Sequence, residues 1–218
     1  MDHKKKLRKI YGLLEDKFGD LGWWPAEGPF EVIVGAVLTQ NTSWSNVEKA
    51  ISKMKQERLL GPERILKART SRLAGAIRPA GYFMVKAGRL KEVSRFVMAE
   101  CGGKLGRLKN SSTSGLREKL LAVKGVGPET ADSILVYALG KPVFVVDAYT
   151  RRVFSRHGII PEKAAYAEIQ ALVHDNFPRD ERKLNQFHAL LVETGKRYCR
   201  KKKPLCEECP LKSVKRKG

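Results

Sequence analysis

Residues Leu121–Arg152 read LAVKGVGPETADSILVYALGKPVFVVDAYTRR, and the opening of that stretch decides the fold. Lys124-Gly125-Val126-Gly127 is a glycine turn between apolar residues that suit a helix on either side. Gly125 and Gly127 tolerate positive φ and carry no Cβ, so their backbone N–H groups can come close to a phosphate. The helix expected to start at Pro128 would aim its N-terminus at the same anion. After the apolar run Val143-Phe144-Val145-Val146 stands a single carboxylate, Asp147. A phosphate grip followed by a lone acid implies a chain that holds a nucleic-acid backbone and acts on one nucleotide.

Outward from this stretch, the chain reads as helical. Apolar residues recur at helical spacing in Leu7, Ile10, Tyr11 and Leu14, in Val32, Ile33, Ala36 and Val37, and in Leu90, Val93, Phe96 and Val97. Glycines and prolines, among them Gly19, Pro25, Gly61-Pro62, Pro79, Gly102-Gly103, Gly140, Pro142, Gly158 and Pro178, separate these segments. The pattern predicts an all-α protein of roughly ten short helices. Val143–Val146 is strand-like in composition but too short to stand alone, and reads as a buried connector. A chain of 218 residues suffices for one compact unit or two small lobes, and 42% hydrophobic residues suffice for a core. No apolar run approaches a membrane span, and Met1-Asp2-His3-Lys4-Lys5-Lys6 lacks an apolar signal region. A cytoplasmic, nucleoid-associated location without a membrane partner is expected. Lys and Arg number 43 against 23 Asp and Glu, a formal charge of +20. That exceeds what solubility needs and favours a polyanionic partner.

The glycine turn, Thr130-Ala131 after it, the spacing to Val146-Asp147 and the cysteines near the C-terminus together resemble the helix-hairpin-helix signature of the endonuclease III (HhH-GPD) superfamily of DNA base-excision glycosylases. The resemblance runs from about Trp23 to those cysteines. It implies two helical lobes with a helix-hairpin-helix motif and a DNA-binding cleft between them. A central lobe, 23–131, would end in the hairpin, and the other would combine 1–22 with 132–218. By resemblance, Lys124, Gly125, Val126 and Gly127 hold the DNA backbone and Asp147 is the catalytic carboxylate. Cleaving an N-glycosidic bond builds positive charge on the sugar, and a carboxylate stabilises that charge while orienting or deprotonating a water. An aspartate before Ala148-Tyr149-Thr150 also suits a helix N-cap, and the two roles are compatible. Bifunctional members place a nucleophilic lysine two residues after the second hairpin glycine. Glu129 stands there and cannot form an imine, so a monofunctional enzyme without AP-lyase activity is expected.

All three tryptophans lie near the N-terminus, in Trp23-Trp24-Pro25 and at the end of the segment Val34–Trp44. This region resembles the type III 3-methyladenine glycosylase branch, and Glu129 agrees with it. The resemblance implies that Trp44 stacks on the extruded base and that Trp24, Pro25 and Glu129 line its pocket, Trp23 being structural. An indole face attracts an alkylated purine through cation–π and stacking interactions. Gln40 occupies the place of a polar wedge, and Tyr82, in Arg78-Pro79-Ala80-Gly81-Tyr82, that of a second inserting residue. The expected activity is removal of alkylated bases, chiefly 3-methyladenine, from double-stranded DNA by a monomer. Two alternatives stand beside it: a glycosylase for mismatched or oxidised pyrimidines, and a noncatalytic DNA-structure binder. Asp147 argues against the last.

Cys199-x6-Cys206-x2-Cys209 matches three ligands of the family's 4Fe–4S loop, but Lys215 stands where the fourth should be. Cys101 is distant in sequence. Three readings remain open: a cluster with an unusual fourth ligand, a zinc site completed by a histidine, and a degenerate metal-free loop. The dense charges Arg200, Lys201, Lys202, Lys203, Lys212, Lys215, Arg216 and Lys217 would neutralise phosphates. His3, His157, His174 and His188 show no ligand spacing and receive no catalytic role.

Overall fold

The structure is a computed structural model that describes residues 2–214; the expectations attached to Lys215, Arg216 and Lys217 lie outside the described residues. Among the described residues there are eleven α-helices and no strand. The chain divides into two units, 24–141 and 1–23 together with 142–218. The helical segment that follows the hairpin stays with the central unit, which therefore extends through Lys141 rather than stopping at Ala131.

The second unit is built from α1 (His3–Phe18), joined in space by helices from the C-terminal half. The central unit holds α2 (Pro29–Leu38), α3 (Trp44–Gln56), α4 (Pro62–Lys67), α5 (Thr70–Ala76), α6 (Phe83–Cys101), α7 (Thr113–Leu121) and α8 (Pro128–Ser133). Helix α2 is buried from Glu31 to Leu38. A helix that is apolar on every side belongs in a core. Helices α7 and α8 flank the glycine turn, and Arg117 clamps them with a two-pronged pair to the fully buried Asp132, at 2.7 and 3.1 Å. A π-helical turn, Ile134–Ala138, continues α8. Lys141 then closes the unit by donating to the Lys109 and Ser111 carbonyls.

The second unit resumes with α9 (Ala148–Arg156), α10 (Tyr166–Asn176) and α11 (Glu181–Arg197). Its core gathers Leu7, Ile10 and Leu14 of α1 with Phe144, Phe154, Phe187 and Leu190. Residues 143–146 are buried and belong to no helix or sheet. Side chains supply their hydrogen bonds instead. His174 Nε2 accepts from the Phe144 N–H at 3.0 Å, Gln170 donates to the Phe144 carbonyl at 2.7 Å, and Tyr166 Oη accepts from the Val146 N–H at 3.3 Å. This anchored connector delivers Asp147 to the start of α9.

Candidate active site and nucleic-acid interface

Asp147 is the N-cap of α9, its Oδ1 accepting from the Thr150 N–H at 2.7 Å. The cap fixes the carboxylate, and the core beneath Val146 keeps its side chain only 14% exposed. Its second oxygen, Oδ2, lies 3.7 Å from Nε2 of His188, which α11 presents from the core side. That distance is longer than an ordinary hydrogen bond. Burial pushes the Asp147 carboxyl up, but His188 and the Thr150 N–H outweigh it and hold the group below the usual carboxylate range. The site thus keeps an ionised, immobilised carboxylate. His188 was invisible to sequence reasoning because no local motif links it to Asp147; only the crossing of α9 and α11 joins them.

The glycine turn behaves differently at its two glycines. Gly125 has φ +90°, and a Cβ there would sit 2.5 Å from Cγ and 2.9 Å from Cδ of Arg89. Gly127 has φ −95° with nothing near an added Cβ, and serves as N-cap of α8. Both glycines tolerate positive φ, and only Gly125 uses it. Val126 is buried, whereas Lys124 and Glu129 are exposed. Glu129 lies in the first turn of α8, where an acid suits the positive end of the helix dipole.

Gln40 does not project as a wedge. Its amide nitrogen donates to the Gly125 carbonyl at 3.2 Å and to Thr130 Oγ1 at 2.9 Å, and its oxygen accepts from Arg89. Both amide hydrogens and one oxygen lone pair are committed to protein, so in this structure Gln40 braces the hairpin. Tyr82, in contrast, stands 71% exposed in a left-handed backbone conformation, φ 44° and ψ 34°. A tyrosine held there carries a backbone cost that surrounding structure must offset. Met84 and Val85, neither singled out in the sequence, extend the exposed apolar tip.

Trp24 and Trp44 meet edge to face with ring centroids 5.0 Å apart, and Tyr137 joins Trp24 at 5.1 Å. Gly35 of α2 admits the Trp24 indole, which lies 3.1 Å from where a Cβ would be. Trp44 is half-buried on the first turn of α3 and donates through Nε1 to Glu48 at 2.8 Å. Pro25 follows Trp24 in an exposed loop. The π-helical turn that carries Tyr137 is a form that recurs at functional sites. Trp23 belongs to the other unit, where Lys196 Nζ lies 5.2 Å from its ring.

Cys199, Cys206 and Cys209 line one cavity of about 30 Å³ together with Arg156, His157, Tyr198 and Leu211. That volume is on the order of one water molecule. Arg156 donates to the Cys199 sulfur at 3.3 Å, and among the described residues no three His, Cys, Asp or Glu side chains stand where they could hold a metal ion. Cys101 belongs to α6 in the central unit. The described residues bring three thiols together but do not fit a four-thiolate cluster.

A family model described as an HhH-GPD superfamily base excision DNA repair protein matches residues 34–179. A chain of Methanocaldococcus jannaschii named as a candidate DNA repair glycosylase is 51% identical over 207 residues, 94% of each chain. Endonuclease III of Thermotoga maritima is 34% identical, over 85% of this chain and 81% of its own. The crystal structure of an H. pylori 3-methyladenine DNA glycosylase bound to 1,N6-ethenoadenine is similar with a TM-score of 0.76 and 31% identity. That likeness covers 90% of this chain and 98% of the other.

Proposed function

We propose, for a chain that belongs to the HhH-GPD superfamily of base excision DNA repair proteins and acts as a DNA glycosylase, that it removes alkylated purines, chiefly 3-methyladenine, and leaves the abasic strand intact. The observation that carries this reading is the aromatic group Trp24, Trp44 and Tyr137 in the same unit as the glycine turn. Electron-rich ring faces suit a positively polarised purine. A relative that handles 3-methyladenine, 31% identical, supports the choice of substrate.

In the proposed reaction the exposed tip at Tyr82 enters the duplex as the damaged nucleotide leaves the stack. The Gly125 turn and exposed Lys124 hold the backbone, and Trp44 stacks on the extruded base. Asp147 stabilises positive charge developing on the sugar. The bond from C1′ to the base nitrogen breaks, its electron pair leaving with the base and neutralising a cationic purine. Water adds to C1′ and gives its proton to Asp147, which releases it to solvent. Glu129 offers no amine for an imine, and the ammonium of Lys86 is buried, so neither supports strand cleavage.

The test is base release from alkylated duplex DNA, with strand breaks scored before and after alkali. Free 3-methyladenine with breaks only after alkali is expected. Release of mismatched or oxidised pyrimidines alone, or breaks without alkali, would replace the substrate or the monofunctional assignment respectively.

The pH profile tests the carboxylate. Held below its usual range, Asp147 stays ionised until the pH falls through that lowered value, and rate falls with it; any stability it contributes is lost over the same acid window. His188→Leu removes the imidazole whose influence opposes that of burial on Asp147, so the acid limb of the rate profile is expected to move to higher pH. An unmoved limb would remove His188 from the site.

A further inference from the structure

Lys86 is a buried cation in an unfavourable place. It is 1% exposed and lies near the N-terminus of α6, where its own helix dipole repels positive charge. Its ammonium donates to two neutral carbonyls, Leu38 at 2.9 Å and Ala80 at 2.7 Å. Burial, and the nearby charge of Arg89, push its pKa down. A Leu or Met would fill such a position at less cost in desolvation.

The two carbonyls explain the arrangement. Leu38 ends α2, immediately before the turn that carries Gln40, and Gln40 braces the hairpin through the Gly125 carbonyl and Thr130. Ala80 ends the short 3₁₀ turn Arg78–Ala80, two residues before the exposed Tyr82. One ammonium therefore ties the strained apolar tip to the turn that is itself tied to the phosphate grip. Hydrophobic burial is non-directional, whereas a cation between two carbonyls fixes both distances.

We propose that Lys86 is a positioning residue for base extrusion, setting the Tyr82 tip in register with the hairpin that holds the DNA backbone. This rests on the glycosylase reading above, in which the tip enters the duplex. Remote positioning of this kind raises turnover more than it raises affinity, because the tip gains its contacts only once the nucleotide has left the stack.

The experiment compares wild type, Lys86→Met and Lys86→Arg on a duplex carrying 2-aminopurine beside a tetrahydrofuran abasic analogue, which requires no chemistry and no knowledge of the lesion. Wild type is expected to raise 2-aminopurine fluorescence as the tip unstacks the probe. Lys86→Met is expected to bind undamaged duplex within about twofold of wild type but to lose the fluorescence rise, with kcat for base release down about tenfold and KM little changed. Lys86→Arg, which keeps a cation with several donors, is expected to recover most of the rise. A wild-type rise in Lys86→Met overturns the proposal. So does a parallel loss of fluorescence, duplex binding and thermal stability, the mark of a merely structural residue. If Lys86→Met does not fold, Lys86→Gln, which retains an amide donor, takes its place with the same two outcomes. No rise in wild type itself would bring down the insertion reading, a failure distinct from that of Lys86.

Discussion

Asp147→Asn is expected to slow base release by roughly 10²–10³-fold, the scale on which a single group facing developing charge contributes. The same variant should bind duplex DNA as well as wild type and melt at nearly the same temperature. The substitution separates two roles that one side chain plays. As N-cap of α9 it accepts from the Thr150 N–H, and asparagine caps about as well as aspartate. Its charge adds little to capping beyond what the neutral amide supplies, but the sugar cation requires it. Asp147→Ala supplies the complement: it should lose the same activity and, in addition, about 1 kcal/mol of stability from the vacated cap. Full turnover in Asp147→Asn would leave the carboxylate as a cap alone and overturn the proposed mechanism. The expected constancy of DNA binding also matters, because a carboxylate near phosphates repels them, so its loss cannot weaken the grip by removing an attraction.

Gly125→Ala carries the second large effect. The backbone at Gly125 has φ +90°, and an added methyl would overlap the Arg89 stem at 2.5 Å. Relief would have to move Arg89, which also donates to Gln40, and Gln40 in turn holds the Gly125 carbonyl and Thr130. One methyl therefore disturbs three side chains that brace the same turn. We expect a stability loss of roughly 2–3 kcal/mol and about tenfold weaker binding to undamaged duplex at low salt, with the difference shrinking as salt rises. Gly127→Ala is the control. Its φ is −95° and no atom approaches an added Cβ, so the change should cost about 1 kcal/mol or less. Urea titration and binding isotherms at several salt concentrations measure both. Equal effects at the two glycines would mean that the Arg89 contact does not govern the turn.

Three places show how far sequence reaches. The helical segments were legible because a buried face repeats every turn: Leu7, Ile10 and Leu14 are all fully buried on α1. The connector 143–146 was legible as buried but not as to how its backbone is satisfied, since the His174, Gln170 and Tyr166 side chains that serve it come from α10. Gln40 looked like a loop residue free to enter DNA, and its amide is instead shared between hairpin and Arg89. Its partners at 89, 125 and 130 are remote in the chain, and no local pattern encodes such a meeting.

The sequence by itself determined the all-α class, the glycine turn, the position of the acid and the three-cysteine pattern, because each depends on residues within one helix, one turn or one fixed spacing. Tertiary structure alone decided that His188 sits beside Asp147, that Tyr137 joins Trp24 and Trp44, that Arg89 makes Gly125 obligatory and that Lys86 ties two loops together. Those are meetings of side chains from separate helices, selected by burial and by the need of each buried polar group for a partner, and they exist only once the helices have docked.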